Sequence, residues 1–267
     1  MEKLKFKQYY PEEGYDLYCD ERLVENGKPL ILLHGNGADG TFFNNQIEDF
    51  NNAGYSLYII DSRGHGKSES GNAPISLYQF AEDLKQFMDS KGIDKASILG
   101  QSDGANVAMI FAKKYTNKVD NLILNAGNLS FDGIVEKGII LDENGNRMTA
   151  NVRQFIKDSY DEALRDGNEK MAEILGLMVN EPNIDPRDLA SIKAKTLVLV
   201  GEFDLITPEQ TNLIASSIPN SELAILKNET HLVAIEHPKI FNDTVIEFLA
   251  RCQEQAVEGK KIEDNIR

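Results

Sequence analysis

Short apolar runs alternate along this chain with longer stretches whose apolar positions recur every three to four residues. Leu30–Leu33, Tyr55–Ile60 and Ala96–Leu99 are of the first kind, and each ends in a glycine-rich turn, HGNGADG, DSRGHGKS and GQSDG respectively. Leu122–Leu124, Thr196–Val200 and Leu223–Leu226 follow. Apolar residues on consecutive positions suit strands covered on both faces, as in a parallel sheet. Between them, Leu77–Met88 aligns Phe80, Leu84 and Phe87 on one helical face, and Asn106–Tyr115 aligns Val107, Ile110 and Phe111; Phe241–Phe248 closes the series. The alternation predicts an α/β fold, a mostly parallel central sheet flanked by helices.

Two regions depart from this rhythm. In the first thirty residues, Lys3–Tyr9 alternates imperfectly and Tyr15–Cys19 follows a Glu-Glu-Gly turn signal, so antiparallel strands are expected there. From about 128 to 190, a DENGN turn is followed by two helical patterns, Val152–Tyr160 and Lys170–Met178, with no strand between them. The predicted organisation is a core of residues 1–127 and 191–267 with a helical lid (cap) inserted at 128–190. The charged tail EGKKIEDNIR is expected to fray.

The chemistry concentrates in the turns. Gly100-Gln101-Ser102-Asp103-Gly104 fits GxSxG, in which a serine stands exposed on a sharp strand-to-helix turn, near the helix N-terminus that favours negative charge. A serine hydroxyl is a weak nucleophile and needs an imidazole base. Of the four histidines, His34 and His65 lie in glycine-rich turns ahead of the serine, and His237 precedes Pro238 at a helix start. His231 follows the last predicted strand, where a loop can bring it over the sheet edge. An orienting acid is expected after the penultimate strand, and GEFDLITP offers Glu202 and Asp204. Asp204 is preferred because it lies deeper in the loop, nearer Pro208, where the next helix can start. Backbone donors for an oxyanion would come from Asp103, directly after the serine, and from Asn36, in the turn after the first parallel strand.

Charge and cysteine usage narrow the partners. A net charge of -15 repels nucleic acid. Cys19 and Cys252 match no metal-binding or redox spacing and read as incidental thiols, although sequence alone leaves a disulfide between them open. No signal peptide or membrane span is evident, so a cytoplasmic location without membrane attachment is expected. GKSESG lacks the Walker frame, HGNGADG lacks the dinucleotide fingerprint, and no HExxH-like spacing occurs. No cofactor and no metal are therefore expected. The sequence carries no signal for oligomeric state.

HGNG, DSRGHGKS, GQSDG, GEFDLITP and THLVAIEHP, in this order and spacing, resemble the α/β-hydrolase superfamily over nearly the whole chain. The set is similar to its esterase, lactonase, aminoacyl-ester hydrolase and carbon-carbon hydrolase members. The resemblance implies a triad of Ser102, Asp204 and His231, oxyanion positions at Asn36 and Asp103, and a structural role for Arg63, His65 and Ser68. Haloalkane dehalogenases and epoxide hydrolases are disfavoured, since those relatives place aspartate where this chain has Ser102. Ala105 stands where many members have a second glycine.

The expected activity is serine hydrolysis of an ester, thioester or activated amide of a small substrate through an acyl-enzyme. A carbon-carbon hydrolase or perhydrolase would use the same triad, and a non-catalytic small-molecule receptor would have no need of a complete one. Asp103 carries two readings: a helix-start residue pointing to solvent, or a pocket carboxylate that pairs with an amine on the substrate, as GxSDG aminoacyl-ester hydrolases suggest.

Overall fold

The computed structural model describes residues 4–10, 15–72, 75–142 and 144–266. The apolar runs become strands β3 (Lys28–Leu33), β4 (Tyr55–Ile60), β5 (Ala96–Gln101), β6 (Val119–Asn125), β9 (Lys195–Phe203) and β10 (Ser221–Thr230). Ahead of them lie β1 (Leu4–Tyr10) and β2 (Tyr15–Arg22), and a separate hairpin supplies β7 (Gly138–Leu141) and β8 (Arg147–Ala150). One sheet of eight strands runs in the order β1-β2-β4-β3-β5-β6-β9-β10. The β1–β2 and β2–β4 pairs are antiparallel and the others parallel. The N-terminal antiparallel strands are thus present, while Lys3 and the Glu-Glu-Gly turn lie outside the described residues.

Strand pleating sorts the core into two layers. Along β3, Ile31 and Leu33 join one apolar cluster while Leu30 and Leu32 join the other, as a period of two requires. Against the first face pack α2 (Leu77–Ser90), α3 (Asp103–Lys114) and Ile214 of α6 (Pro208–Ser217). Phe50 of α1 (Ile47–Asn52), Val233 of α7 (Val233–Glu236) and Phe241 of α8 (Pro238–Ile266) cover the second. Cys19 and Cys252 are free thiols, one in each cluster. The tail expected to fray instead continues α8 as helix to Ile266.

The eight-stranded sheet takes none of its strands from 128–190. That span holds the β7–β8 hairpin around the DENGN turn, where Gly145 adopts φ 80, and then α4 (Val152–Arg165) and α5 (Glu169–Asn180). The hairpin was not expected from the sequence. Val152 and Ile156 of α4 bury against Ile134 and Ile206, and Leu177 of α5 joins the first core cluster. At the far end of the insertion, the Glu181 carboxylate accepts from Leu77 N at 2.7 Å and from Ser76 Oγ at 2.9 Å, tying it to the start of α2.

Candidate active site

The sharp turn after β5 forms because its flanks have no side chains. A Cβ on Gly104 would lie 2.1 Å from the Leu33 carbonyl oxygen, and one on Gly100 would lie 2.2 Å from that of Gly104. Chain crossings this close admit only glycine. Ser102 takes φ 53, ψ -120, a conformation a non-glycine residue holds at a cost of about 1–3 kcal/mol. Its backbone N–H donates to Asn125 O at 2.8 Å, and α3 begins at the next residue. Ser102 therefore stands at the carboxyl end of the sheet and the N-terminus of a helix, where the helix dipole favours negative charge.

Two other strand ends deliver the remaining groups. Asp204, in the loop after β9, is buried; its Oδ2 accepts from Gly201 N at 3.2 Å and its Oδ1 from Ile206 N at 3.1 Å. Oδ1 also lies 2.8 Å from Nδ1 of His231, the residue after β10. Of the two candidate acids, Asp204 is the one brought to His231. Glu202 is exposed and accepts from Asn228 N at 2.9 Å, bracing the chain ahead of His231. His237 pairs with Glu229 at 2.6 Å and is half exposed. Ser102 Oγ makes no hydrogen bond among the described residues. His231 Nε2 instead faces Gln101 Nε2 at 3.2 Å.

The turn after β3 completes the site. His34 Nδ1–H donates to Gly35 O at 2.8 Å, and Nε2 accepts from Ser62 N at 2.9 Å, a neutral tautomer that ties this turn to the one after β4. Burial lowers the His34 pKa to about 4. Asn36 Nδ2 donates to Asp103 Oδ2 at 3.0 Å and to Ile174 O of α5 at 2.7 Å, joining the turn after β3 to the start of α3 and to α5. As the first residue of α3, Asp103 has a backbone N–H with no carbonyl one turn earlier to satisfy it.

A family model for the alpha/beta hydrolase fold matches residues 28–148. A 2-hydroxy-6-oxononadienedioate/2-hydroxy-6-oxononatrienedioate hydrolase of Escherichia coli is 30% identical across 85% of this chain and 88% of its own. The chain belongs to the α/β-hydrolase family. The same-named enzyme of Burkholderia vietnamiensis is 29% identical across 90% of this chain and 93% of its own. Among solved structures, MGS-M2, an alpha/beta hydrolase from a Medee basin deep-sea metagenome library, superimposes with TM-score 0.75 at 20% identity, covering 92% of this chain and 97% of that one.

In this α/β-hydrolase the DSRGHGKS turn is a brace. Arg63 is fully buried and bidentate to Asp83 of α2, Nη2 to Oδ1 at 2.7 Å and Nε to Oδ2 at 3.0 Å. Ser68 Oγ donates to Asp61 O at 2.6 Å and accepts from Tyr18 N at 2.8 Å. His65 Nδ1–H donates to Arg63 O at 3.0 Å, which leaves Nε2 a buried acceptor without a partner among the described residues. His65, Asn36 and Asp103 line a cavity of about 10 Å³, room for roughly one water-sized group.

Asp103 does not point to solvent. It is buried, and Asn106 Nδ2 donates to its Oδ1 at 3.1 Å, beside the Asn36 bond to Oδ2. Burial nonetheless pushes its pKa up to about 6. Asn106 also donates to Asn128 Oδ1 at 2.9 Å and accepts from Asn128 N at 2.8 Å, extending the chain of amides into the insertion. Sequence reasoning missed Gln101, Asn106 and Asn128. For Asn106 a signal existed, since it lies three residues after Asp103 on one helical face.

Proposed function

We propose that this α/β-hydrolase is a serine hydrolase that cleaves an ester, thioester or activated amide of a small substrate. The observation that carries the reading is the Asp204–His231 pair, delivered from the ends of β9 and β10 toward a serine held at φ 53 after β5. Ser102 Oγ attacks the carbonyl carbon as His231 Nε2 takes the hydroxyl proton. Asp204 holds Nδ1–H and stabilises the imidazolium, and the Asn36 and Asp103 amides receive the oxyanion. Collapse expels the leaving group, which takes the proton back from His231. Water then attacks the acyl-enzyme by the same route. Residues 128–190 serve as the lid over the pocket.

Asp103 supports a substrate that carries an amine. Its buried carboxylate and the unpartnered His65 Nε2 are both acceptors, and each carboxylate oxygen receives one amide donor while retaining capacity for a second. A substrate ammonium would supply the missing donors and compensate the charge. Such a pair is worth about 1–3 kcal/mol, roughly tenfold to a hundredfold in kcat/KM.

The similar enzymes of Escherichia coli and Burkholderia vietnamiensis favour a second reading, carbon-carbon bond hydrolysis on the same three residues. The two readings differ in charge preference. A dienedioate carries two carboxylates, which the Asp103 side of the pocket repels, whereas an amino ester is attracted.

The test is a panel of matched esters with and without an α-amino group and a dienedioate diketone, assayed on the wild type, Ser102→Ala and Asp103→Asn. Ester turnover lost in Ser102→Ala, with a loss selective for the amino ester in Asp103→Asn, supports the first reading. Turnover of the diketone alone moves the function to carbon-carbon cleavage. Equal effects of Asp103→Asn on both esters remove the amine from the substrate.

A further inference from the structure

The opposite end of the sheet from Ser102 holds a second concavity, about 840 Å³, where strands β3, β5, β6 and β9 begin. Four lysines from three parts of the chain line it: Lys28 opens β3, Lys95 precedes β5, and Lys193 precedes β9, which Lys195 opens. Asp120 is the one carboxylate among the described lining residues, and it pairs with Lys95 at 2.9 Å. Lys195 bonds the neutral Gln255, and the side chains of Lys28 and Lys193 have no partner among the described residues. On the floor, the buried Ser97 hydroxyl accepts from Asn121 Nδ2 at 3.1 Å and keeps its own proton to donate.

The chain carries 43 acidic and 28 basic residues; outside the cavity Lys85, Lys91, Lys113, Lys114, Lys118 and Lys239 pair with carboxylates, while Lys67 and Lys157 lie over aromatic rings. Around the cavity, four lysines share one carboxylate, Asp120, among the described lining residues. Mutual repulsion among ammonium groups opposes such a cluster, and an anion seated between them would reverse its sign. The volume falls in the range of about 300–1,000 Å³ common for small-molecule sites. All four cations are lysines, point charges on flexible stems that suit phosphate oxygens; no arginine fork for a planar carboxylate lines the site.

We infer that this cavity binds a small molecule bearing two or more linked phosphates, at a site separate from Ser102. The probe is inorganic tripolyphosphate, titrated calorimetrically into the full chain, with citrate as a polycarboxylate of similar charge. One saturable site per chain is expected, weakening as salt rises from about 50 to about 300 mM. Lys28→Ala/Lys193→Ala should lose about tenfold or more in affinity, with Lys85→Ala/Lys239→Ala unchanged and citrate at least about tenfold weaker. Because Lys28 and Lys193 are exposed, both double variants should melt with the wild type and label normally at Ser102. The inference is overturned by absence of saturation, by equal losses in the two double variants, or by citrate binding as tightly as tripolyphosphate.

Discussion

Gln101 Nε2 lies 3.2 Å from His231 Nε2, on the lone pair the imidazole has left once Nδ1–H engages Asp204. The carboxamide is wedged in place: Gln101 is buried, and a Cβ on Gly35 would come within 2.3 Å of its Oε1. Under the proposed function that same lone pair must take the Ser102 proton, so the Gln101 amide competes with the nucleophile in the resting site. Gln101→Met keeps an unbranched side chain of similar length and removes the donor. A net hydrogen bond of about 1 kcal/mol predicts a several-fold faster reaction of Ser102 with a fluorophosphonate probe. Slower labelling at an unchanged melting temperature would assign Gln101 to holding His231 in place.

Ser102→Ala and His231→Ala should each lower kcat by several orders of magnitude, and the double variant should lose little more, because groups that act as a unit are not additive. Asp204→Asn should also be severe, since an amide at 2.8 Å from Nδ1 no longer fixes the imidazole tautomer. Glu202→Gln should be mild, because Glu202 touches Asn228 N and not His231. Steady-state kinetics on the five variants checks this, and a reversed ranking of the two acids would move the orienting role to Glu202.

Gly104→Ala should cost more than an ordinary helix substitution. The added methyl would meet the Leu33 and His34 carbonyl oxygens at 2.1 and 2.7 Å, backbone atoms that shift only with their strand. Overpacking of this kind costs about 1–3 kcal/mol or more, and it would displace the Ser102 turn as well. A lower denaturation midpoint together with reduced probe labelling is expected. Ala105→Gly, one residue on, should leave labelling intact.

The sheet was legible because its strands are apolar on consecutive positions and end in glycines: Tyr55–Ile60 is read to the residue, and Leu30–Leu33 to within two. The placement of Ser102, Asp204 and His231 directly after strand ends was legible from the apolar runs ahead of them. The β7–β8 hairpin was not, because its residues are half-buried or exposed and Gly138–Leu141 is too short to show alternation. Gln101, Asn106 and Asn128 escaped for another reason: neutral amides carry no periodicity, and their partners lie as far as 130 residues away. The tail misread as frayed shows the limit of local composition, since its charge pattern says nothing of the helix it prolongs.

Asp103 and His34 should leave opposite marks on the pH dependence of stability. The native Asp103 pKa, about 6, stands above the ordinary aspartate value of 3.8, so between these values the folded chain holds a proton that the unfolded chain has lost. Stability from this group is therefore greatest below pH 4 and declines as pH rises to 6. For His34 the native pKa of about 4 stands below 6.5, and in this window the unfolded chain holds the extra proton; stability from this group rises with pH over nearly the same range. Each effect, taken over its whole window, is roughly 3 kcal/mol at about 1.4 kcal/mol per pKa unit, and in the wild type they largely offset one another. Asp103→Asn removes only the declining one. The difference in unfolding free energy, variant minus wild type, should therefore increase by roughly 2–3 kcal/mol between pH 4 and 7, on top of a constant penalty for the donors of Asn36 and Asn106. Urea denaturation of both proteins across that range decides the matter. A difference that stays flat with pH would mean that Asp103 is ionised throughout, already compensated in the folded chain, and would remove the demand for a cationic group on the substrate.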